Sequence, residues 1–253
     1  MEQNIARRAR TIPSVYARQE FMTPGVEETL ALLEQHCGVG PSTRILEVAF
    51  GKGEAACRLA MRHGCRVIGV DVHSAIEAIR QKTVDRRLDD RVSLVRGDGG
   101  WLPVREASID GCLCTGGPSI GGGIERSMAE MHRVLKPDGW AVVSDWVWRK
   151  RPVPAAALPR WVTDDEPFTL LDEYAAAVRR AGFELILAQC LPSYVWEGYY
   201  GPMLQEMASW RTSGDPELEA RFERSWDNEP RTFYEGLGRE YWGYGVFIGR
   251  KVT

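Results

Sequence analysis

Through residue 148 the chain alternates short apolar, β-branched runs with one-faced helical patterns, and turn residues punctuate the boundaries. Val26, Leu30, Leu33 and Cys37 fall at i, i+4, i+7 and i+11 and predict a helix that Gly38 and Gly40 stop. Strands are expected over 44–48, 65–70, 91–95, 109–114 and 140–148. Between them lie a helix over 54–63, a helix N-capped by Ser74 with Ile76, Ile79, Val84 and Leu88 on its apolar side, and a helix carrying Ile124, Met128, Met131 and Leu135. Pro137-Asp138-Gly139 marks the turn into the fifth strand. Strands alternating with helices predict an α/β protein with a mainly parallel sheet.

Beyond residue 148 the pattern changes. A proline-rich stretch over 149–167 predicts an irregular connection or flap. Leu171, Tyr174, Val178 and Ala181 then form a helical face that ends at Gly182, and a strand follows over 183–191. Residues 192–239 are an aromatic-rich insertion containing Trp196, Tyr199, Tyr200 and Trp210, readable either as a lid or as core for an added helix. Last, Trp242, Tyr244, Val246 and Ile248 alternate with Gly243, Gly245, Phe247 and Gly249, a strand whose glycine face admits close packing. We read one domain over 1–253: an N-terminal helical segment (1–42), a core (43–148), a flap, helix and strand (149–191), the insertion (192–239) and the closing strand (240–253).

Composition narrows the function classes. The 32 basic and 35 acidic residues give a net charge of −3, without the basic excess of a duplex-binding surface, so a nucleic-acid partner is not expected. No apolar run approaches the roughly 18 residues of a membrane span. Arg7, Arg8 and Arg10 are not followed by a signal-peptide core, and a cytoplasmic location is expected. The six cysteines lie in apolar segments and form no C-x-x-C pair; reduced, buried thiols and no metal site are expected, Cys112 and Cys114 on one strand face included.

The chemistry gathers at strand ends. The run from Ile45 to Gly53 places Glu47, Ala49, Gly51 and Gly53 between a parallel strand and a helix, where glycines let a ligand approach the backbone. Gly51-x-Gly53-x-x-Ala56 also satisfies a loose dinucleotide pattern, with Asp71 about 20 residues on. Glu47 tilts the balance, since an acid there suits a ligand with cationic groups and would repel a pyrophosphate. Asp71 stands where a carboxylate can take two ribose hydroxyls, and each charge-assisted bond contributes about 1.5–3 kcal/mol.

Two further runs follow in order. Arg96-Gly97-Asp98-Gly99-Gly100-Trp101-Leu102-Pro103, with Ile109-Asp110-Gly111 after it, and Arg133-Val134-Leu135-Lys136-Pro137-Asp138-Gly139 resemble motifs of class I, Rossmann-like S-adenosylmethionine-dependent methyltransferases. The chain is most similar to their ubiquinone/menaquinone-biosynthesis-type, small-molecule branch, and within it to a bacterial subgroup with an aromatic C-terminal insertion and a closing strand like the one over 241–247. The resemblance implies a three-layer, doubly wound, mostly parallel seven-stranded sheet whose last strand is antiparallel. It implies a methyl transfer from S-adenosylmethionine to a small-molecule acceptor, releasing S-adenosylhomocysteine. It also implies roles by position. Glu47, Ala49, Gly51 and Gly53 surround the methionine moiety, Asp71 takes the ribose hydroxyls and Val72 meets the adenine. Asp98 and the Gly99 N–H read the adenine edge, and Cys114 and Thr115 lie beside the sulfonium. Ala49 departs from the family's first glycine, which alanine tolerates if φ stays negative; with Phe50 it could narrow the methionine pocket.

The loop 115–123 after the fourth strand is where donor and acceptor should meet. Because the electrophile arrives activated, orientation dominates, and a base is needed only where the acceptor must lose a proton. Asp145, at the end of strand five, is the best-placed candidate base, with Tyr16 and His73 as others; His132 reads as a surface residue. Trp146, Trp196 and Tyr200 are candidate acceptor contacts, and exposed insertion tryptophans would suit a homodimer interface. Two rivals stand beside this reading: a catalytically silent S-adenosylmethionine-binding regulator, and an NAD-type oxidoreductase resting on the glycine pattern alone.

Overall fold

The computed structural model describes residues 14–72, 76–117, 122–162 and 168–252. Arg7, Arg8, Arg10, His73, Ser74 and residues 118–121 of the glycine loop lie outside the described residues. The first elements follow the hydrophobic pattern. Helix α1 (Val26–His36) buries Val26, Leu30 and Leu33, and Cys37 follows them into the core. Strand β1 (Arg44–Val48), helix α2 (Glu54–His63), strand β2 (Arg66–Asp71), helix α3 (Ile76–Asp85) and strand β3 (Val92–Arg96) complete one half of the sheet. Strand β4 (Ile109–Thr115), helix α4 (Ile124–Val134) and strand β5 (Leu135–Trp148) build the other.

Strand β6 (Thr169–Leu170), helix α5 (Leu171–Arg180), strand β7 (Phe183–Cys190), helices α6 (Tyr194–Arg211), α7 (Pro216–Asn228), α8 (Pro230–Tyr234) and α9 (Gly238–Tyr241), and strand β8 (Trp242–Lys251) finish the described chain. The strands lie in the order β3-β2-β1-β4-β5-β8-β7. All pairs from β3 to β5 are parallel, and β8 runs antiparallel to both β5 and β7. This is the doubly wound sheet with an antiparallel last strand that the motifs imply, with one addition. Two residues past the proline-rich stretch, Thr169 and Leu170, pair in parallel with Val147 and Trp148 and make an eighth, short strand.

The sheet separates two cores. On one side α1, α2, α3 and α6 cover Ile45, Val67, Leu113, Val142, Tyr244 and Val246. On the other, α4 and α5 cover Leu46, Val70, Cys112, Val143 and Phe247. Strand order reverses between β1 and β4, the position where ligands enter doubly wound sheets.

Four local expectations change. The turn at Pro137-Asp138-Gly139 is a bulge within β5: Ile109 pairs with Leu135 and Gly111 with Trp140, and Asp138 takes φ 61° to fit the extra residues. Leu135 thus opens the strand and does not end the helix. Val84 is exposed, because α3 ends at Asp85 and the chain turns at Arg87 (φ 58°) before Leu88 re-enters the core. His132 is half-buried, its ring edge-on to Phe183 at 5.3 Å, and burial together with the Lys251 charge holds its pKa below the usual imidazole range.

The insertion is core. Trp196, Tyr199, Tyr200, Trp210 and Met207 of α6 are buried. Trp196 lies edge-on to Tyr244 at 5.8 Å and to Trp146 at 4.7 Å. Its tryptophans therefore do not offer the exposed anchors expected for a dimer; the exposed ones, Trp101 and Trp161, lie elsewhere.

The glycine face of β8 is filled by neighbours. A Cβ on Gly249 would stand 2.9 Å from Phe183 Cβ, and one on Gly245 would meet the Phe247 ring, itself stacked on Tyr174 at 4.1 Å. Gly249→Val should therefore cost about 1–3 kcal/mol through overpacking, lowering the urea midpoint without changing the far-ultraviolet spectrum of the folded state.

Candidate functional site

Glu47, in β1, points into the protein and is 2% exposed. The Ala56 N–H donates to its carboxyl, yet Oε2 has no hydrogen-bond partner among the described residues. Burial pushes the Glu47 carboxyl up to about 8; the Ala56 bond opposes that rise and the Asp71 charge adds to it. A buried acceptor oxygen without a donor is costly unless a ligand or water completes it.

After β1 the chain turns through three left-handed residues, Ala49 (φ 58°), Gly51 (φ 52°) and Gly53 (φ 68°), and Gly53 caps α2. The condition under which alanine is tolerated without strain, a negative φ, is therefore not met. The loop keeps the conformation that favours glycine, and alanine occupies it at a cost of roughly 1–2 kcal/mol. The narrowing residue is not Phe50, whose ring is buried over Gly69 of β2. The Ala49 methyl faces the β4 loop instead: a Cβ on Gly117 would lie 2.7 Å from Ala49 Cβ and 2.8 Å from Cys114 Sγ. The two loops touch, and only glycine at 117 lets them.

Asp71 ends β2, and its Oδ2 accepts the Gly51 N–H at 2.8 Å, locking the strand tip to the glycine loop. Val72 follows it, half-buried. Beyond β3, Asp98 Oδ1 accepts the Gly100 N–H at 2.8 Å and folds its own turn, while Gly99 comes so close to Val48 that a Cβ there would stand 2.8 Å from Cγ1. Cys114 is buried at the end of β4, and Thr115 pairs with Ser144. Burial, with the Asp145 charge, holds the Cys114 thiol well above its ordinary range. The structure thus brings Glu47, Ala49, Gly51, Gly53, Asp71, Cys114 and Thr115 together at the carboxyl edge of β1, β2 and β4, with Val72, Asp98 and Gly99 at the neighbouring tips.

The other predicted residues separate by face. Asp145, 2% exposed, accepts the Trp146 N–H at 2.9 Å and the Tyr174 hydroxyl at 3.4 Å, on the α5 side. Tyr16 lies on the opposite side, where its hydroxyl meets that of Tyr199 at 3.0 Å. Burial and the Glu229 charge raise the Tyr16 phenol far above its usual range, so it stays protonated. Trp146, Trp196 and Tyr200 sit in one aromatic cluster, and Tyr200 donates to Glu229 at 3.3 Å.

Sequence reasoning missed what joins these parts. Lys52, between the two loop glycines, donates to the carbonyls of Tyr16 and Gln19, and the Gln19 side chain donates to the Tyr199 carbonyl. Met22 packs over Gly51, and Thr23 over Gly116 beside the Tyr244 hydroxyl. Residues 16–23 therefore form a strap across both loops. No periodicity marks them; only Lys52, a cation inside a glycine turn, was a signal.

A family model described as a methyltransferase domain matches residues 46–143, the stretch that contains every one of these loops. The fold agrees along most of the chain. A Geobacter sulfurreducens S-adenosylmethionine-dependent methyltransferase, solved with S-adenosyl-L-homocysteine, superposes with a TM-score of 0.77 at 25% identity, over 94% of this chain and 98% of that one. The chain is a methyltransferase of the Rossmann-like class. The methyltransferase is also 25% identical to the uncharacterized Escherichia coli protein YjhP over 93% of its own length and 97% of that protein. It is 33% identical to the ubiquinone/menaquinone biosynthesis C-methyltransferase UbiE of Methylobacterium nodulans, over 38% of this chain and 39% of that one.

The raised Glu47 carboxyl has a consequence for stability. In the unfolded chain it ionises near 4.5 and in the methyltransferase near 8, so its contribution is complete below about pH 4.5 and is lost as pH rises through 8. Across that window the ligand-free enzyme should lose stability, by at most about 1.4 kcal/mol per pH unit from this group. Glu47→Gln should flatten the slope, as read from melting temperatures at pH 5, 6, 7 and 8; an unchanged slope would show that the carboxyl is ionised in the folded state.

Proposed function

We propose that this methyltransferase transfers a methyl group from S-adenosylmethionine to a small-molecule acceptor, and that Glu47, Asp71 and the loops around them hold the methyl donor. The single observation that carries the donor site is the buried, partnerless Glu47 Oε2 at the end of β1. A cationic ligand would lower the Glu47 pKa and complete that oxygen, which a pyrophosphate would not. S-adenosylmethionine supplies a methyl group on a positively charged sulfur, so the protein need not activate it.

In this reading Glu47, Ala49, Gly51 and Gly53 hold the methionine moiety and Asp71 holds the ribose. Asp71 has one oxygen on Gly51, and a carboxylate retains lone pairs for hydroxyl donors. Val72, Asp98 and Gly99 frame the adenine, and Cys114 and Thr115 flank the sulfonium. Tyr16, kept protonated, is not a base. Asp145 is left as the candidate proton acceptor for acceptors that must be deprotonated. Trp146, Trp196 and Tyr200 back the acceptor side. No described helix is long and apolar enough to cross a membrane. The unpaired cysteines suit the reducing cytoplasm. A homodimer would have to form without the insertion's tryptophans.

Isothermal titration with S-adenosylhomocysteine, and with NADH in parallel, tests the reading. Micromolar affinity for S-adenosylhomocysteine is expected, weakened about 10- to 150-fold in Asp71→Ala by the loss of charge-assisted bonds. Binding of NADH in place of S-adenosylhomocysteine would overturn it.

A further inference from the structure

Four buried polar groups lie on the α6 side of the sheet under the strap: Gln19 Oε1, Ser144 Oγ, Trp196 Nε1 and Tyr244 Oη. None has a hydrogen-bond partner of good geometry among the described residues. Each belongs to a residue less than one-tenth exposed, so water does not reach them freely and each carries the penalty of an unmade bond.

Two of them, Tyr244 Oη and Ser144 Oγ, stand together at the β4 loop. Tyr244 Oη stands 2.9 Å from the Cβ position of Gly116, the first loop residue after β4, with Thr23 of the strap against the same glycine. Ser144 is the β5 partner of Thr115 and of Val246, one step along the same face from Tyr244. The hydroxyls of Thr23 and Ser144 are near enough to Tyr244 Oη to oppose the rise of its pKa, although neither makes a hydrogen bond of good geometry with it. Trp196 is edge-on to the Tyr244 ring, and the Gln19 side chain ties the strap to α6 through the Tyr199 carbonyl. The cluster adjoins the meeting point of the β1 and β4 loops, where the donor's methyl group would emerge.

Its charge pattern is selective. The Lys52 ammonium is taken up by two strap carbonyls. Asp145 acts from the α5 face, and with burial it keeps the Tyr244 phenol protonated and able to donate. No cationic side chain pairs with any of the four groups among the described residues, so a carboxylate or phosphate on the ligand would find no counter-charge.

We propose that Tyr244, with Ser144, forms the acceptor-orienting site, and that the methyl acceptor presents a neutral hydroxyl or phenol there. The Tyr244 and Ser144 hydroxyls can donate to the two lone pairs of a ligand hydroxyl, and either oxygen can accept its proton. The inference rests on the methyltransferase reading and extends it to the chemistry of the acceptor.

The test uses 4-fluorophenol, 4-fluorobenzoate and 4-fluorobenzylammonium as probes, followed by fluorine NMR on the full chain with saturating S-adenosylhomocysteine. 4-Fluorophenol should bind at least tenfold more tightly than either charged probe. Tyr244→Phe should weaken it about tenfold and Ser144→Ala by a smaller factor, both with S-adenosylhomocysteine affinity unchanged. Because Tyr244 Oη lacks a partner, Tyr244→Phe should melt at the same temperature or higher. A melting point several degrees lower would make the hydroxyl a structural partner of Thr23 and Ser144 and overturn the proposal. So would unchanged 4-fluorophenol binding in Tyr244→Phe, or a preference for either charged probe; a preference for the ammonium would point to Glu229 instead. Failure of S-adenosylhomocysteine to bind the unaltered protein would break the underlying reading, and is seen before any probe is added.

Discussion

The structure depends on one contact, the approach of the β1 loop to the β4 loop at the point where strand order reverses. Ala49 and Cys114 both press on the space beside Gly117. Their closeness requires parallel strands paired from Ile45↔Gly111 to Val48↔Cys114, which sets both strand ends at one level. It also requires left-handed backbone at 49, 51 and 53, so that the chain folds back toward α2 without passing over β4. The Asp71–Gly51 bond then holds β2 to the same loop. A shift of one residue in the β1–β4 register would move Glu47 to the opposite face and remove the acid from the site.

The strand tips were legible because their residues answer to backbone rules. Glycines at 51 and 53, an acid at 47 and another at 71 each have one structural meaning in a parallel strand–turn–helix unit. The alternation of strand and helix gave the parallel half of the sheet for the same reason. Thr169–Leu170 was not legible, since a two-residue strand has no period. The bulge at Lys136–Gly139 read as a turn because bulges and turns use the same residues. The φ of Ala49 was not legible, because its side chain argues against left-handed backbone while the loop adopts it.

The acceptor side was less legible for a different reason. The strap and the aromatic cluster join segments distant in sequence: Tyr16 with Tyr199, Lys52 with Gln19, Trp146 with Trp196 and Trp242. Nothing local distinguishes an aromatic residue that will be core from one that will line a site. Whether the insertion is lid or core depended on which face of α6 meets β8, and Trp196 against Tyr244 decides it.

Lys52 couples two parts that could otherwise evolve apart. The residues we propose for the donor sit on strand tips fixed by the sheet, whereas those we propose for the acceptor come from the strap, α6 and β8. On such a plan the enzyme's selectivity can drift while its donor site stays constant. The exception is the strap itself, whose carbonyls are fastened to an ammonium rooted inside the donor loop. A change that lifts the strap removes a restraint from that loop, so ancestry should show the two segments altering in concert.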